Sequence, residues 1–180
     1  MAVVSQFENE AVPMLDAFTT DRLRIQRLTP DDAEELAAIS NVPEVYQWMA
    51  FMEGGLPTAK AAALIAAQEE TKEFFFAVRL ANGPMIGAVG VIDHPDQTIE
   101  IGYWLGVDHQ KKGYAYEALQ GLLEQIATRP SLASRPIIAE THPDNSASIG
   151  LLTKAGFRAT GRPGPRPNRI EFAFGHGNSN

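Results

Sequence analysis

An α/β fold, of the α+β or three-layer type, with one central, mixed, mostly antiparallel sheet of six to seven strands flanked by helices, follows from three features of the sequence. The first is a change of period within one stretch. Ile99, Ile101, Tyr103, Leu105 and Val107 alternate with Glu100, Gly102, Trp104 and Gly106, the period of a strand. Beyond a polar turn at Asp108 to Lys112, Ala115, Ala118, Leu119, Leu122, Leu123 and Ile126 recur at the spacing of an amphipathic helix. The second feature is a pair of apolar runs, Phe74 to Arg79 and Met85 to Ile92, split by Ala81-Asn82-Gly83-Pro84; this is a hairpin signal, although Pro84 argues against a tight two-residue turn. The third is the order of elements: strand, helices, three antiparallel-capable strands, helix, strand, helix, two strands. Neither a repeat nor a linker interrupts it, so residues 20–174 read as a single domain, behind a lead-in at residues 1–19 and ahead of a flexible tail at residues 175–180.

Each element has a local cause. Leu23 and Ile25 alternate with Arg22, Arg24 and Gln26, giving a strand with one wet face. Thr29-Pro30-Asp31-Asp32 opens the first helix, with Thr29 at the N-cap, Pro30 in the first turn and Asp32 placed to close a capping box. Leu36, Ile39 and the neighbouring alanines supply its buried face. A short helix is predicted over Pro43 to Met49, and Gly54-Gly55 with Pro57 makes a turn. Thr58 is expected to cap a third helix reaching about Glu70. After the central strand, Thr98 to Val107, a helix runs from Tyr114 to Thr128 and stops at Arg129-Pro130. Pro136 to Thr141 returns as a strand. Asn145 or Asp144 caps a helix over Ser146 to Ala155, with Lys154 suited to its C-terminal dipole and Gly156 to the left-handed closing position. Two last strands, Phe157 to Gly161 and Arg169 to Phe174, flank a Pro-rich loop, Arg162 to Asn168.

The turn before the long helix is chemically loaded. Gly113 lets backbone approach a bound group, and the helix behind it presents unpaired N–H groups and a positive dipole end, a natural anion site. Lys111 and Lys112 add positive charge there, in a chain whose net charge is −7. Residues 1–107 hold 6 Lys+Arg against 16 Asp+Glu, while residues 108–180 hold 9 against 6. The basic half suits an anionic cofactor and the acidic half a cationic acceptor. Neither the Gly-x-Gly-x-x-Gly nor the Gly-x-x-x-x-Gly-Lys-Ser/Thr signature occurs.

Gln110-Lys111-Lys112-Gly113-Tyr114-Ala115 resembles the Q/R-x-x-G-x-G/A acetyl-CoA motif of the GNAT N-acetyltransferase superfamily. Ile-Gly-Tyr-Trp-Leu ahead of it and Tyr-Glu-Ala behind it resemble the RimJ/RimL-like branch. Asn145-x-x-Ser148 followed by Leu151 to Phe157 is similar to that branch's N-x-x-S…L-x-K-x-G-F segment, and Asp21 to Ile25 to its opening strand. Three segments in the right order cover most of the chain. The resemblance implies that acetyl-CoA is the co-substrate and that two central strands splay to admit its pantetheine arm. On that reading Leu105, Gly106 and Val107 offer backbone partners, Gln110, Lys111, Lys112, Gly113, Tyr114 and Ala115 cradle the pyrophosphate, and Asn145 and Lys154 complete the cofactor contacts. It further implies direct transfer to an amine, a protein N-terminus or a small amine, in a ternary complex. Glu100 would serve as proton acceptor and Ser148 would meet the departing thiolate, at a place where many relatives carry Tyr. The loop Arg162 to Asn168 is expected to border the acceptor. Alternatives are a catalytically silent CoA-binding regulatory module, or acylation of a polyamine or antibiotic amine.

Composition narrows the remaining classes. With no cysteine there is no thiolate nucleophile, disulfide or thiolate metal site. His94 in Asp93-His94-Pro95-Asp96 reads as a plain turn, His109, His142 and His176 lack ligand spacing, and no metal is expected. A pI near 5.1 without a basic, aromatic-rich stripe disfavours nucleic acid. No apolar run approaches the roughly 18 residues of a membrane span, and the N-terminus lacks the basic start and apolar core of a secretion signal. A cytoplasmic protein is expected, with no membrane partner and with a homodimer as an allowed assembly.

Overall fold

A computed structural model describes residues 15–175. Most of the lead-in and all but the first residue of the expected tail, residues 1–14 and 176–180, lie outside them. The described chain runs β1 (Phe18–Thr19), β2 (Leu23–Arg27), α1 (Ala33–Ser40), α2 (Pro43–Tyr46), α3 (Thr58–Ala66), α4 (Gln68–Thr71), β3 (Glu73–Leu80), β4 (Met85–Asp93), β5 (Ile99–Leu105), α5 (Tyr114–Ala127), α6 (Pro130–Ala133), β6 (Ile137–Thr141), α7 (Ser146–Lys154), β7 (Phe157–Pro163) and β8 (Ile170–Phe174). The described residues form one eight-stranded sheet in the order β1-β2-β3-β4-β5-β6-β8-β7. The strand beyond the expected six to seven is β1, a two-residue edge strand.

The mixed character comes from one joint. Every neighbouring pair is antiparallel except β5 and β6, which run parallel and touch only at Ile99↔Ile137 and Glu100↔Ile138. By contrast, β4 pairs with β5 from Asp93↔Ile99 through Gly87↔Leu105. Beyond Glu100 the β6-facing edge of β5 therefore has no strand beside it. Two hydrogen bonds fix which backbone groups face that opening: Ile99 donates to the Pro136 carbonyl, toward β6, and Gly106 donates to the Ile86 carbonyl, toward β4. By the two-residue repeat of a strand, Ile101, Tyr103 and Leu105 present N–H and C=O groups to the opening.

The two faces of the sheet carry separate cores. On one, α5 and α7 pack Leu119, Leu122, Ile126 and Leu152 against Ile25, Phe76, Val89, Ile101 and Phe157. On the other, α1 to α3 lay Leu36, Val45 and Ile65 on Phe75, Ala77, Ala88 and Trp104. Full burial of each large aliphatic side chain contributes about 1.5–3 kcal/mol.

The structure departs from several local expectations: the helix expected over Pro43 to Met49 ends at Tyr46, Pro130–Ala133 adds a short helix, and β7 runs on to Pro163. The Thr29 amide meets the Asp32 carboxylate at 2.7 Å as foreseen, but Pro30–Asp32 is a 3₁₀ turn and the α-helix proper starts at Ala33. Thr58 is the first residue of its helix, with Pro57 in extended conformation at the cap, and a break at Ala67 starts α4. The central strand ends at Leu105, because Val107–His109 winds into a 3₁₀ turn. Among the described residues no helix is long and apolar enough to cross a membrane.

Candidate active site

The opening beside β5 is a groove of about 350 Å³ walled by the open strand edge, the start of α5 and the start of α7. At its entrance the chain turns sharply into α5. Gln110 is extended, Lys111 is left-handed at φ +59°, and Gly113 caps α5 at φ +83°. Lys111 pays for that conformation, since a left-handed non-glycine costs about 1–2 kcal/mol, and such outliers gather at ligand sites. The result is a concave run of N–H groups at the positive end of a 14-residue helix. Leu105, Gln110, Lys111, Gly113, Tyr114, Ala115, Asn145 and Ser148 line the groove. Gln110 also donates from Nε2 to the Leu105 carbonyl at 3.1 Å, tying the loop to the open strand edge.

Four of the expected cofactor residues stand elsewhere. The Gly106 amide donates to the Ile86 carbonyl and its carbonyl accepts from the His109 amide, so both groups are already paired within the chain. Val107 is out of the strand, and its carbonyl accepts from the Gln110 amide; the strand repeat puts Tyr103, not Val107, beside Leu105 along the opening. Lys112 turns from the groove, and its carbonyl accepts from Arg22 Nη1 at 3.1 Å. Lys154 holds its ammonium 4.5 Å over the Tyr116 ring, at the rim.

Arg22 is a feature that sequence reasoning missed. It pairs with Glu117 at 2.6 Å, lies 4.5 Å over the Tyr114 ring and braces the loop from below. Arg22, just ahead of β2, and Glu117, on the first turn of α5, are 95 residues apart, so no local pattern joins them.

Asn145 has a double role. Its Oδ1 caps α7 by accepting the Ser148 amide at 3.1 Å, which leaves the side-chain NH₂ as donor toward the groove. Ser148 Oγ lies 2.9 Å from the Tyr103 hydroxyl, which also donates to the Ser148 carbonyl at 3.3 Å. A tyrosine thus meets Ser148 from the strand and not from the helix segment where the sequence resemblance placed one. Burial pushes the Tyr103 phenol up to about 12, with the Ser148 hydrogen bond pulling the other way. Since that is above the value of about 10 in an unfolded chain, the associated stability is fully present below pH ~10 and is lost as pH climbs through ~12. A spectrophotometric titration should show one of the four tyrosines ionising only near pH 12, and Tyr103→Phe should remove that transition.

Glu100 faces a second, smaller chamber of about 110 Å³ that adjoins the groove and shares Gly102, Trp104, Trp48 and Arg169 with it. The carboxylate is 4 % exposed, and both oxygens are engaged: Oε1 with Arg166 Nη1 at 2.5 Å, Oε2 with His94 Nε2 at 2.9 Å. Arg166 also meets Glu140 at 2.6 Å, while its amide donates to the other Glu140 oxygen at 3.0 Å. Burial acts to lower the Arg166 pKa, but the hydrogen bonds to Glu100 and Glu140 outweigh it and hold the guanidinium charged. The Pro-rich loop reaches the smaller chamber through this residue. His94, read as a plain turn residue, closes the far end of the cluster, with its side chain 30 % exposed. Arg169 lines both chambers, and its side chain has no hydrogen-bond or ion-pair partner among the described residues.

The acetyltransferase (GNAT) domain model matches residues 22–158. An uncharacterized N-acetyltransferase, p20, of Bacillus licheniformis is 30% identical over 155 residues, covering 82% of this chain and 85% of the relative. A GNAT-family acetyltransferase structure from Bacillus anthracis superposes with TM-score 0.75 at 23% identity, over 88% of this chain and 97% of that one. RimL, a ribosomal L7/L12 α-N-protein acetyltransferase solved with coenzyme A, gives 0.73 at 15% identity over 88% and 96%. The splayed strands, the loop at the start of α5 and these matches together make the chain a member of the GNAT family of acetyl-CoA-dependent N-acetyltransferases.

Proposed function

We propose that the protein transfers the acetyl group of acetyl-CoA directly to a primary amine within a ternary complex. The observation that carries this reading is that the two chambers share walls: the groove along the open edge of β5 and the chamber that holds Glu100 are both lined by Gly102 and Trp104. The pyrophosphate would rest on Gln110, Lys111 and the Gly113 to Ala115 start of α5, and the pantetheine arm would pair with the Tyr103 and Leu105 backbone and the Asn145 amide. Glu100 takes the amine proton, directly or through water, and His94 offers it a way toward solvent. The amine nitrogen attacks the thioester carbon, the C–S bond breaks, and the thiolate takes a proton from the Tyr103–Ser148 hydroxyl pair, which burial keeps protonated. With no cysteine in the chain, no thiol is present to carry the acetyl group.

Initial rates of CoA release, with both substrates varied, test this. Intersecting double-reciprocal lines are expected. Parallel lines, or an acetylated protein after incubation with acetyl-CoA alone, would overturn direct transfer. CoA binding without release by any amine would favour the silent-module reading.

A further inference from the structure

We propose that the acceptor is a small amine with a flat aromatic body and not a polypeptide N-terminus, an inference that rests on the acetyl-transfer reading and concerns the smaller chamber. Its walls are rings. Phe75 and Trp104 rise from the sheet and Phe51 and Trp48 come from the segment after α2. Phe51, Phe75 and Trp104 have centroids 5.7–5.9 Å apart at interplanar angles of 42–65°. These tilted arrangements are the ones in which a further ring can pack edge to face, a contact worth about 0.5–1.5 kcal/mol beyond its buried area.

The floor is a strip of bare backbone at Gly102 beside the Phe75 ring. Gly90, the partner of Gly102 across β4 and β5, is covered by that ring, 3.1 Å from where a Cβ would stand, whereas a Cβ built on Gly102 meets nothing within 4 Å. A flat body can lie on this strip, and because Gly102 lines both chambers, a nitrogen on a short tail reaches the point where the groove opens. About 110 Å³ is of the order of the ~150 Å³ apolar cavity that takes up benzene.

Charge selects a monocation. Three carboxylates, Glu73, Glu100 and Glu140, line the chamber with two guanidiniums, Arg166 and Arg169. Glu73 has no side-chain hydrogen bond or ion pair among the described residues. One ammonium balances the set, whereas the second ammonium of a polyamine would face Arg166 or Arg169. A peptide fits less well for a different reason. Each of its residues brings an N–H and a C=O that need partners. Here the β4 and β5 backbone is paired with itself across the floor, and the walls offer rings.

The test is a panel of 2-phenylethylamine, hexylamine, spermidine and a peptide with a free N-terminal serine, read by CoA release. Phenylethylamine should exceed each of the others at least tenfold in kcat/KM. Gly102→Val, which adds methyls where no protein atom stands, should keep the melting temperature while raising the phenylethylamine KM at least tenfold. A preference for spermidine or the peptide, or an unchanged phenylethylamine KM in the folded variant, overturns the proposal. Both tryptophans line the chamber, so phenylethylamine binding also registers as a change in intrinsic fluorescence. Saturable binding without turnover would sink the transfer reading and keep the pocket assignment, and absence of both would sink the pocket assignment.

Discussion

Gly113→Glu is expected to weaken CoA binding by at least 10²-fold, about 2.7 kcal/mol, while the protein stays folded. Two effects add. Gly113 sits at φ +83°, where an L side chain costs about 1–2 kcal/mol, and its Cβ would come within 3.3 Å of Arg22 Nη2, the end of a flexible side chain that can shift. The larger effect is electrostatic. A carboxylate at the N-terminus of α5 is favourable to the helix, which is why folding survives, but it occupies the N–H nest and repels the phosphates that would bind there. Gly113→Ala carries the backbone cost without the charge and should lose roughly tenfold or less. Calorimetry with CoA separates the two. Unchanged affinity in folded Gly113→Glu would remove the phosphate-cradle assignment.

What the sequence revealed, and what it hid, divides along sequence distance. The β5-turn-α5 unit was legible because a period of two gives way to a helical period within one short stretch, and both periods are local. Asn145 as N-cap and Gly156 at φ +98° were legible for the same reason. β1 was not, since two residues hold no period. Val107 was misplaced because its alternation with Leu105 continues past the point where the backbone turns, and apolar pattern does not report the turn. The acceptor side was hidden more deeply. Glu100, Glu140 and Arg166 meet across separations of 26 and 66 residues, and the Tyr103–Ser148 contact spans 45. These pairings exist only because β5, β6 and the loop before β8 are neighbours in the sheet. His94 looked like turn punctuation for the same reason: its partner is Glu100 on the next strand.

Glu100→Gln should lower kcat by about 10²–10⁴-fold and leave the KM for acetyl-CoA nearly unchanged. The carboxylate lines the acceptor chamber and not the groove, so the cofactor contacts are untouched. Glutamine keeps the size of the side chain, and its Oε1 can still accept from Arg166, which also retains Glu140. What it loses is a basic oxygen. The Arg166 contact holds the Glu100 carboxylate in place, and the His94 contact gives a proton taken there an exit. An acceptor amine that arrives protonated then loses the one carboxylate joined to His94, while Glu73 and Glu140 still line the chamber. Glu140→Gln is the control, because it removes the other half of the Arg166 pair without touching His94. A loss of similar size in Glu140→Gln would mean that both substitutions act by displacing Arg166. A large loss in Glu100→Gln alone assigns the proton transfer to Glu100, and wild-type kcat in Glu100→Gln would leave water as the base.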